Sequence, residues 1–348
     1  MAVGLSALYG LDPEEIKEIL KAQGIPLFRG AQLLDWLYRK HIASLEEAKN
    51  LPASAREILR QHFDLSSLER AEVRPSKNGE SVKYLFRTRD QHWVESVLIV
   101  QRDRRTVCVS TQLGCKMGCV FCASGKAGFV RDLTAGEIIE QVVWIEKQIR
   151  QRVTNVVFMG MGEPLDNFEA TLKALKILQA PWGFGIGARR ITVSTVGIHP
   201  KILEFVRHSE GRVRLSISLH AANEEKRTAL IPANRKYSVK ALADVLTQVY
   251  RKLKREITFE YTLIRGINDS PKDASDVAKM ARPLAAKVNL IPYNPVRESD
   301  FQTPSKDAIE RFRRALEQQG IRVTLRQTAG RDIDSACGQL RLDRTKGS

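Results

Sequence analysis

From about residue 105 onward, short apolar segments alternate with helix-patterned ones, and this alternation limits the fold more than any other feature of the chain. Strands are predicted at 106–111, 153–159, 190–195, 213–219, 256–264 and 287–292, with a last one near 321–326, and helices between them. Strands joined through helices run parallel with right-handed crossovers. Six such units are too few to close an eightfold barrel. The expected fold class is therefore α/β, an open, partial (βα)6 barrel. Thr134-Ala135-Gly136-Glu137 reads as a capping box that opens the helix Ile138 to Ile149.

The residues before this region follow other patterns. Asp12-Pro13-Glu14-Glu15 starts a helix, with Asp as cap and Pro in the first turn, and Ile16, Ile19 and Leu20 form its apolar stripe. Further helices are predicted from Gly30 to Tyr38 and from Ser54 to His62. Val82, Tyr84 and Phe86 then alternate with polar residues, as do Trp93 and the segment Ser96 to Val100, with a hairpin-like turn at Lys77-Asn78-Gly79. The expected organisation is a small helical accessory module at 1–70, a β extension at 71–104 and a core at 105–348.

The net charge is +16, and its distribution is uneven. Residues 1–70 carry nine basic and ten acidic side chains, residues 71–114 eight and five, and the remainder 39 and 25. The excess lies on the part that carries the barrel pattern, and a phosphate backbone is the obvious partner for it. A merely soluble basic protein is the alternative. Arg102, Arg104 and Arg105, just before the first barrel strand, are candidates for phosphate contact, whereas Arg251-Lys252-Leu253-Lys254-Arg255 reads more simply as a solvated helix end. No apolar run approaches the roughly 18 residues of a membrane span. Met1-Ala2-Val3-Gly4-Leu5 lacks the basic stretch and apolar core of a secretory signal. Free, clustered cysteines fit a reducing cytosol. The expectation is a cytoplasmic monomer with no membrane partner.

Barrels of this kind carry their chemistry on the loops after the strand C-terminal ends, and the notable strings fall there. Cys115-Lys116-Met117-Gly118-Cys119-Val120-Phe121-Cys122 follows the first strand. Its spacing lets Cys115, Cys119 and Cys122 converge on one soft metal centre and leaves a fourth ligand position open. A structural zinc normally closes with four ligands, and no second Cys-x-x-Cys exists, so a four-iron cluster with one open iron fits better. After the second strand comes Gly160-Met161-Gly162-Glu163-Pro164, where glycines let backbone approach a ligand and Glu163 is either an acceptor for a ligand ammonium or a helix-capping acid. Ser194 and Ser218 end the third and fourth strands, as contacts to a ligand carboxylate or ribose or as helix caps. His220 is better placed to line a ligand site than to bind metal. Asn294 offers both a donor and an acceptor for adenine or ribose. The remaining two of the five cysteines are Cys108, on the first strand, and Cys337, near the C-terminus.

The C-x3-C-x2-C loop is the signature of the radical S-adenosylmethionine (SAM) enzymes, and Gly162-Glu163 resembles a variant of their Gly-Gly-Glu motif, with Met161 between the glycines. With Val107-Cys108-Val109-Ser110-Thr111-Gln112, Ser218-Leu219-His220-Ala221, Ile333-Asp334-Ser335-Ala336-Cys337-Gly338-Gln339-Leu340 and Trp93-Val94-Glu95-Ser96, nearly the whole chain resembles the RNA adenine methyltransferases of large-subunit ribosomal RNA. That resemblance implies a [4Fe-4S] cluster on Cys115, Cys119 and Cys122, and SAM held by Gly162, Glu163, Ser194, Ser218, Leu219, His220 and Asn294. It implies that one SAM methylates Cys337. A second SAM is cleaved reductively, and the radical so formed takes hydrogen from the S-methyl group, whose carbon then adds to adenine. Glu95 accepts a proton at the adenine, and Cys108 attacks Cys337 to free the product through a transient disulfide. Read without the resemblance, Glu95 is a solvated strand glutamate. The implied substrates are carbon 2 of adenosine in 23S rRNA and in tRNA beside the anticodon, with flavodoxin or ferredoxin as electron donor. Gly162-Glu163-Pro164-Leu165 looks more like this branch than like the antibiotic-resistance relative that methylates carbon 8. A zinc-binding RNA-binding protein is the rival from another class; it accounts for the charge and three cysteines but not for Cys108 or Cys337.

Overall fold

A computed structural model of the chain, which describes residues 6–253, 255–296, 299–326 and 330–340, contains one ten-stranded sheet in strict sequence order. Its strands are β1 (Leu68–Pro75), β2 (Ser81–Thr88), β3 (Trp93–Gln101), β4 (Arg104–Val109), β5 (Asn155–Phe158), β6 (Ile191–Thr195), β7 (Arg214–Ser218), β8 (Thr258–Leu263), β9 (Lys287–Pro292) and β10 (Val323–Leu325). The strands β1 to β4 pair antiparallel, and β4 to β10 pair parallel. The two edges, β1 and β10, do not meet, so the barrel is open as expected. Most barrel strands are shorter than predicted by one or two residues at an end, where the chain turns toward a crossover helix; β4 instead begins two residues earlier and ends two earlier. Met1–Leu5 and Lys254, both considered in the sequence, lie outside the described residues.

The β extension continues the barrel sheet. β3 and β4 are paired from Val97 opposite Cys108 to Gln101 opposite Arg104, which fixes the side-chain parity of both strands. Val97 and Cys108 line the lumen, and so do Ile99, Gln101, Arg104 and Thr106. The turn at Lys77-Asn78-Gly79 joins β1 and β2, with Gly79 at φ +70°.

Helix Ala135–Ile149 opens with the predicted capping box, Thr134 Oγ1 accepting from Glu137 N and the Glu137 carboxylate accepting from Thr134 N. It is buried on nearly every face, because the barrel covers one side and the accessory module the other. A Cβ at Gly136 would stand 2.5 Å from Tyr9 O, so only glycine admits this approach. The module is also held by polar contacts. Glu140 accepts from Ser67 N and Leu68 N at 2.8 and 2.9 Å, and the buried Glu146 carboxylate takes His41 Nε2 at 2.6 Å and Arg152 at 2.8 Å. The predicted helix from Gly30 to Tyr38 is an α-helix only over Arg29–Asp35 and widens to a π-helix over Trp36–Lys40. That turn seats Tyr38 between Leu11 O, to which its hydroxyl donates, and the rings of Trp182 and Phe184. No helix among the described residues is long and apolar enough to cross a membrane.

Candidate active site

Beyond β4 the chain forms a short strand, Gln112–Gly114, paired with Phe129–Asp132, and then the three-cysteine loop. Cys115 N donates to Gly128 O, Val120 N to Leu230 O and Cys122 N to Cys119 O, which folds the loop over the barrel rim. Cys119 is buried, and Cys115 and Cys122 are half-buried. Burial is the main cause that pushes the Cys115 thiol up to about 12, with Cys122, Glu163 and Asp166 adding to it. The thiols of Cys119 and Cys122 also rise, chiefly through burial. Such thiols ionise when a metal displaces their protons. Among the described residues no group of three or more His, Cys, Asp or Glu is arranged to hold a single metal ion. One ion would draw three thiolates to on the order of 4 Å from one another, given roughly 2.3 Å metal–sulfur bonds. A four-iron cluster takes each thiolate on a separate iron and requires less convergence, so three soft donors on one rim loop fit that group.

The Gly160–Glu163 loop packs directly against this segment. Met161 O accepts from Thr111 N at 2.8 Å, and Glu163 N donates to Gln112 Oε1 at 2.9 Å. A Cβ at Gly162, where φ is +98°, would stand 2.5 Å from Gln112 Cβ. The neighbouring strand end, as much as any ligand, therefore requires this glycine. Glu163 is buried and its two oxygens accept from Leu165 N at 3.0 Å and Val196 N at 2.8 Å, tying the loop after β5 to the loop after β6. Burial raises its carboxyl to about 7 against these hydrogen bonds. A carboxylate has further lone pairs for an ammonium ligand.

Ser194 and Ser218 meet at 3.2 Å between their hydroxyls, on adjacent strands. Neither caps a helix. His220 has φ +55°, and its Nδ1 accepts from Thr262 N at 2.9 Å, so the proton sits on Nε2. Burial, then Arg227, lowers its pKa to about 3 and keeps the ring neutral. The ring meets Phe121 of the cysteine loop edge-on at 4.8 Å, which makes it a wall of the rim. Leu219 is fully buried beneath it. Arg227, which sequence patterning does not single out, is also fully buried, and its guanidinium holds Leu219 O and Ser218 O at 3.1 and 3.2 Å.

Cys337 returns to this rim from the far end of the chain. Its loop is pinned on several sides: Ala123 N donates to Gly338 O, Ser124 Oγ to Leu340 O, Gln339 Nε2 to Pro295 O and Asn294 Nδ2 to Cys337 O. Asn294, predicted as a nucleoside contact, holds the Cys337 loop in place in this structure. Cys337 and Cys108 line the same cavity of about 1060 Å³, and all five cysteines are free thiols. Burial, and then Cys337, pushes the Cys108 thiol up to about 12. Arg326, just past β10, bonds to Cys337, and its charge interaction with that residue is the first cause raising the Arg326 pKa. Glu95 lies two residues before Val97 on β3, hence on the same sheet face as Cys108. It is buried and not solvated, with Oε1 3.2 Å from Nζ of the buried Lys83. Below the cysteines a polar ladder crosses the lumen, with Glu260 accepting from Ser216 at 2.6 Å and Asn289 at 2.7 Å. Sequence patterning missed Lys83, Glu260 and Arg326; only Glu260 carried a signal, as the one charge on the strand Thr258–Leu263.

Comparison with known proteins agrees with this arrangement. Residues 109–278 match the family model of the Radical SAM superfamily, and residues 6–65 match that of the ribosomal RNA large subunit methyltransferase N-terminal domain. The chain is 41% identical over 342 residues to a probable dual-specificity RNA methyltransferase RlmN of Thermotoga sp. (strain RQ2), covering 98% of this chain and 99% of that one. It is 42% identical to the protein of the same description from Listeria welshimeri, covering 98% of this chain and 95% of that one. A crystal structure of a radical SAM methyltransferase from Sphaerobacter thermophilus superposes with a TM-score of 0.94 at 42% identity, covering 97% of this chain and all of that one. The chain is therefore an enzyme of the radical SAM superfamily and belongs to its RlmN family of RNA methyltransferases.

Proposed function

We propose that this enzyme methylates carbon 2 of adenosine in 23S rRNA at the peptidyl-transferase centre, and in tRNA beside the anticodon, through an S-methylcysteine on Cys337. It acts as a cytoplasmic monomer supplied with electrons by flavodoxin or ferredoxin. The observation that carries this reading is the return of Cys337 to the lumen that also holds Cys108. Cys115, Cys119 and Cys122 would hold the [4Fe-4S] cluster, and Gly162, Glu163, Ser194, Ser218, Leu219, His220 and Asn294 would surround SAM. When bound, cluster and SAM supply a methyl group and one-electron reductive cleavage.

The protein's own residues then divide the work. Cys337 carries the methyl group on sulfur, held at the lumen by Asn294 and the bonds to residues 123 and 124. Arg326 bonds to Cys337 and lines the same cavity, which helps to hold the sulfur at the lumen. Glu95, charge-paired with Lys83, accepts the proton that leaves the adenine carbon. Cys108 gives up its thiol proton and bonds to the Cys337 sulfur as the Cys337 S–C bond breaks. The departing carbon keeps the bonding pair and takes up a proton to complete the methyl group, which frees the methylated base and leaves a disulfide for reduction. The test is mass spectrometry of nucleosides from RNA treated with the reconstituted enzyme. 2-Methyladenosine in both rRNA and tRNA fragments is expected; 8-methyladenosine, or an unmodified tRNA, would overturn the corresponding part.

A further inference from the structure

The cavity beneath Cys108 and Cys337 does not end at the catalytic rim. It runs the length of the barrel to the N-terminal ends of the strands, where Arg104, Arg189, Arg212, Arg214, Arg255 and Lys287 line it. On β4 the residues at 104, 106 and 108 all face the lumen, so Arg104 lies about 13 Å below Cys108 at roughly 3.3 Å per residue. Lys287 pairs with Glu256 at 3.4 Å, and Arg212 pairs with Glu210. Among the described residues Arg104, Arg189, Arg214 and Arg255 make no ion pair, and all four are exposed. Four unpaired guanidiniums around one opening repel each other, and a bound polyanion relieves that repulsion. Of the three arginines singled out in the sequence, only Arg104 belongs to this ring. Arg105 faces the other way and donates to Arg152 O, and Arg102 sits in the turn before β4 with φ +51°.

We propose that the N-terminal mouth of the barrel is the portal through which the substrate RNA inserts its target nucleotide, with the arginine ring clamping the phosphates on either side of it. This inference rests on the enzyme's being an RNA methyltransferase and adds the route by which RNA reaches the two cysteines. The base passes up the lumen, past the polar ladder of Ser216, Glu260 and Asn289, toward Cys337. An unpaired loop suits this opening, because an extruded base leaves its flanking phosphates outside.

The test measures binding of a synthetic RNA hairpin with an unpaired adenosine in its loop to the full-length, cluster-loaded enzyme across a salt series. The portal variant is Arg104→Gln/Arg214→Gln/Arg255→Gln. The control, Lys272→Gln/Lys279→Gln/Arg311→Gln, removes equal charge from outer helices. The portal variant is expected to bind about tenfold or more weakly at low salt and to lower the log–log salt slope by about 2, at about 0.7 per lost phosphate contact. The control should stay near wild type. A second measurement needs no variant: bound RNA should slow phenylglyoxal modification of Arg104, Arg214 and Arg255, mapped by peptide mass spectrometry. Equal binding by portal and control variants, or unchanged modification of the three arginines, would overturn the portal while leaving RNA methylation intact. Failure of the wild-type enzyme to bind the hairpin in a salt-dependent way would overturn both.

Discussion

Glu163 can be separated from an ordinary ligand-binding acid by its effect on the protein without SAM. Its oxygens accept from two N–H groups, on Leu165 and Val196, and the carboxyl is buried. Glu163→Gln keeps one acceptor and turns an amide N–H₂ toward the other donor, which costs about 1–3 kcal/mol for one unsatisfied buried group. Glu163→Ala orphans both and adds a cavity, so about 3–6 kcal/mol is expected. The pH dependence adds a second signature. The folded carboxyl, at about 7, lies above its unfolded value near 4.5. Between those values the folded state holds more protons, so stability arising from this residue is greatest at low pH, falls as pH rises, and is constant above about 7. At about 1.4 kcal/mol per pH unit the loss reaches up to about 3 kcal/mol. Glu163→Gln lacks this titration, so its deficit relative to wild type should be largest near pH 4.5 and shrink toward pH 7. Denaturant unfolding of the apoprotein at pH 5 and 8, beside SAM affinity over the same range, measures both effects. SAM affinity of the wild type should rise through pH 7, since an ammonium ligand favours the ionised carboxylate. A Glu163→Gln apoprotein as stable as wild type at both pH values would show that the carboxylate is not a tie between the two loops.

Three further outcomes follow from the same contacts. Replacing Cys115, Cys119 or Cys122 with Ala should abolish bound iron and formation of 5′-deoxyadenosine, measured after anaerobic reconstitution; reductive SAM cleavage by the triple variant would refute the ligand assignment. Gly162→Ala, forced to φ +98° against Gln112, should lose about 2–5 kcal/mol in unfolding experiments. Glu146→Ala removes the buried partner of His41 and Arg152 and should cost about 3–5 kcal/mol, with limited proteolysis releasing the accessory module first.

The parts legible in the sequence are those governed by local chemistry. The capping box at Thr134, the hairpin at Gly79 and the barrel strands depend on residues a few positions apart, and each stands within two residues of where its pattern places it. The cysteine loop is legible because three thiols at fixed spacing have few other uses. The π-turn at Trp36–Lys40 is different, since an α-helix with those residues has the same apolar spacing and only the distant Leu11, Trp182 and Phe184 select the wider turn. Arg227 and Lys83 look like surface cations in a one-dimensional pattern, although both are buried and paired in the fold. The hold of Asn294 on the C-terminal loop was hidden for the same reason, because the carbonyl it bonds is that of Cys337, far away in the sequence.

The central claim is that Cys337 carries the methyl group and Cys108 releases it, and the Cys108→Ala enzyme tests this most directly. Reconstituted with cluster, SAM, reductant and RNA, it should load the methyl and join it to adenine but fail to break the S–C bond. RNA should then accumulate covalently on the protein, as a nuclease-sensitive band of reduced mobility in a denaturing gel, with peptide mass spectrometry placing the attachment at Cys337. The Cys108→Ala/Cys337→Ala protein should give no such band. Normal RNA methylation by Cys337→Ala, or an adduct that persists in the double variant, would contradict the account.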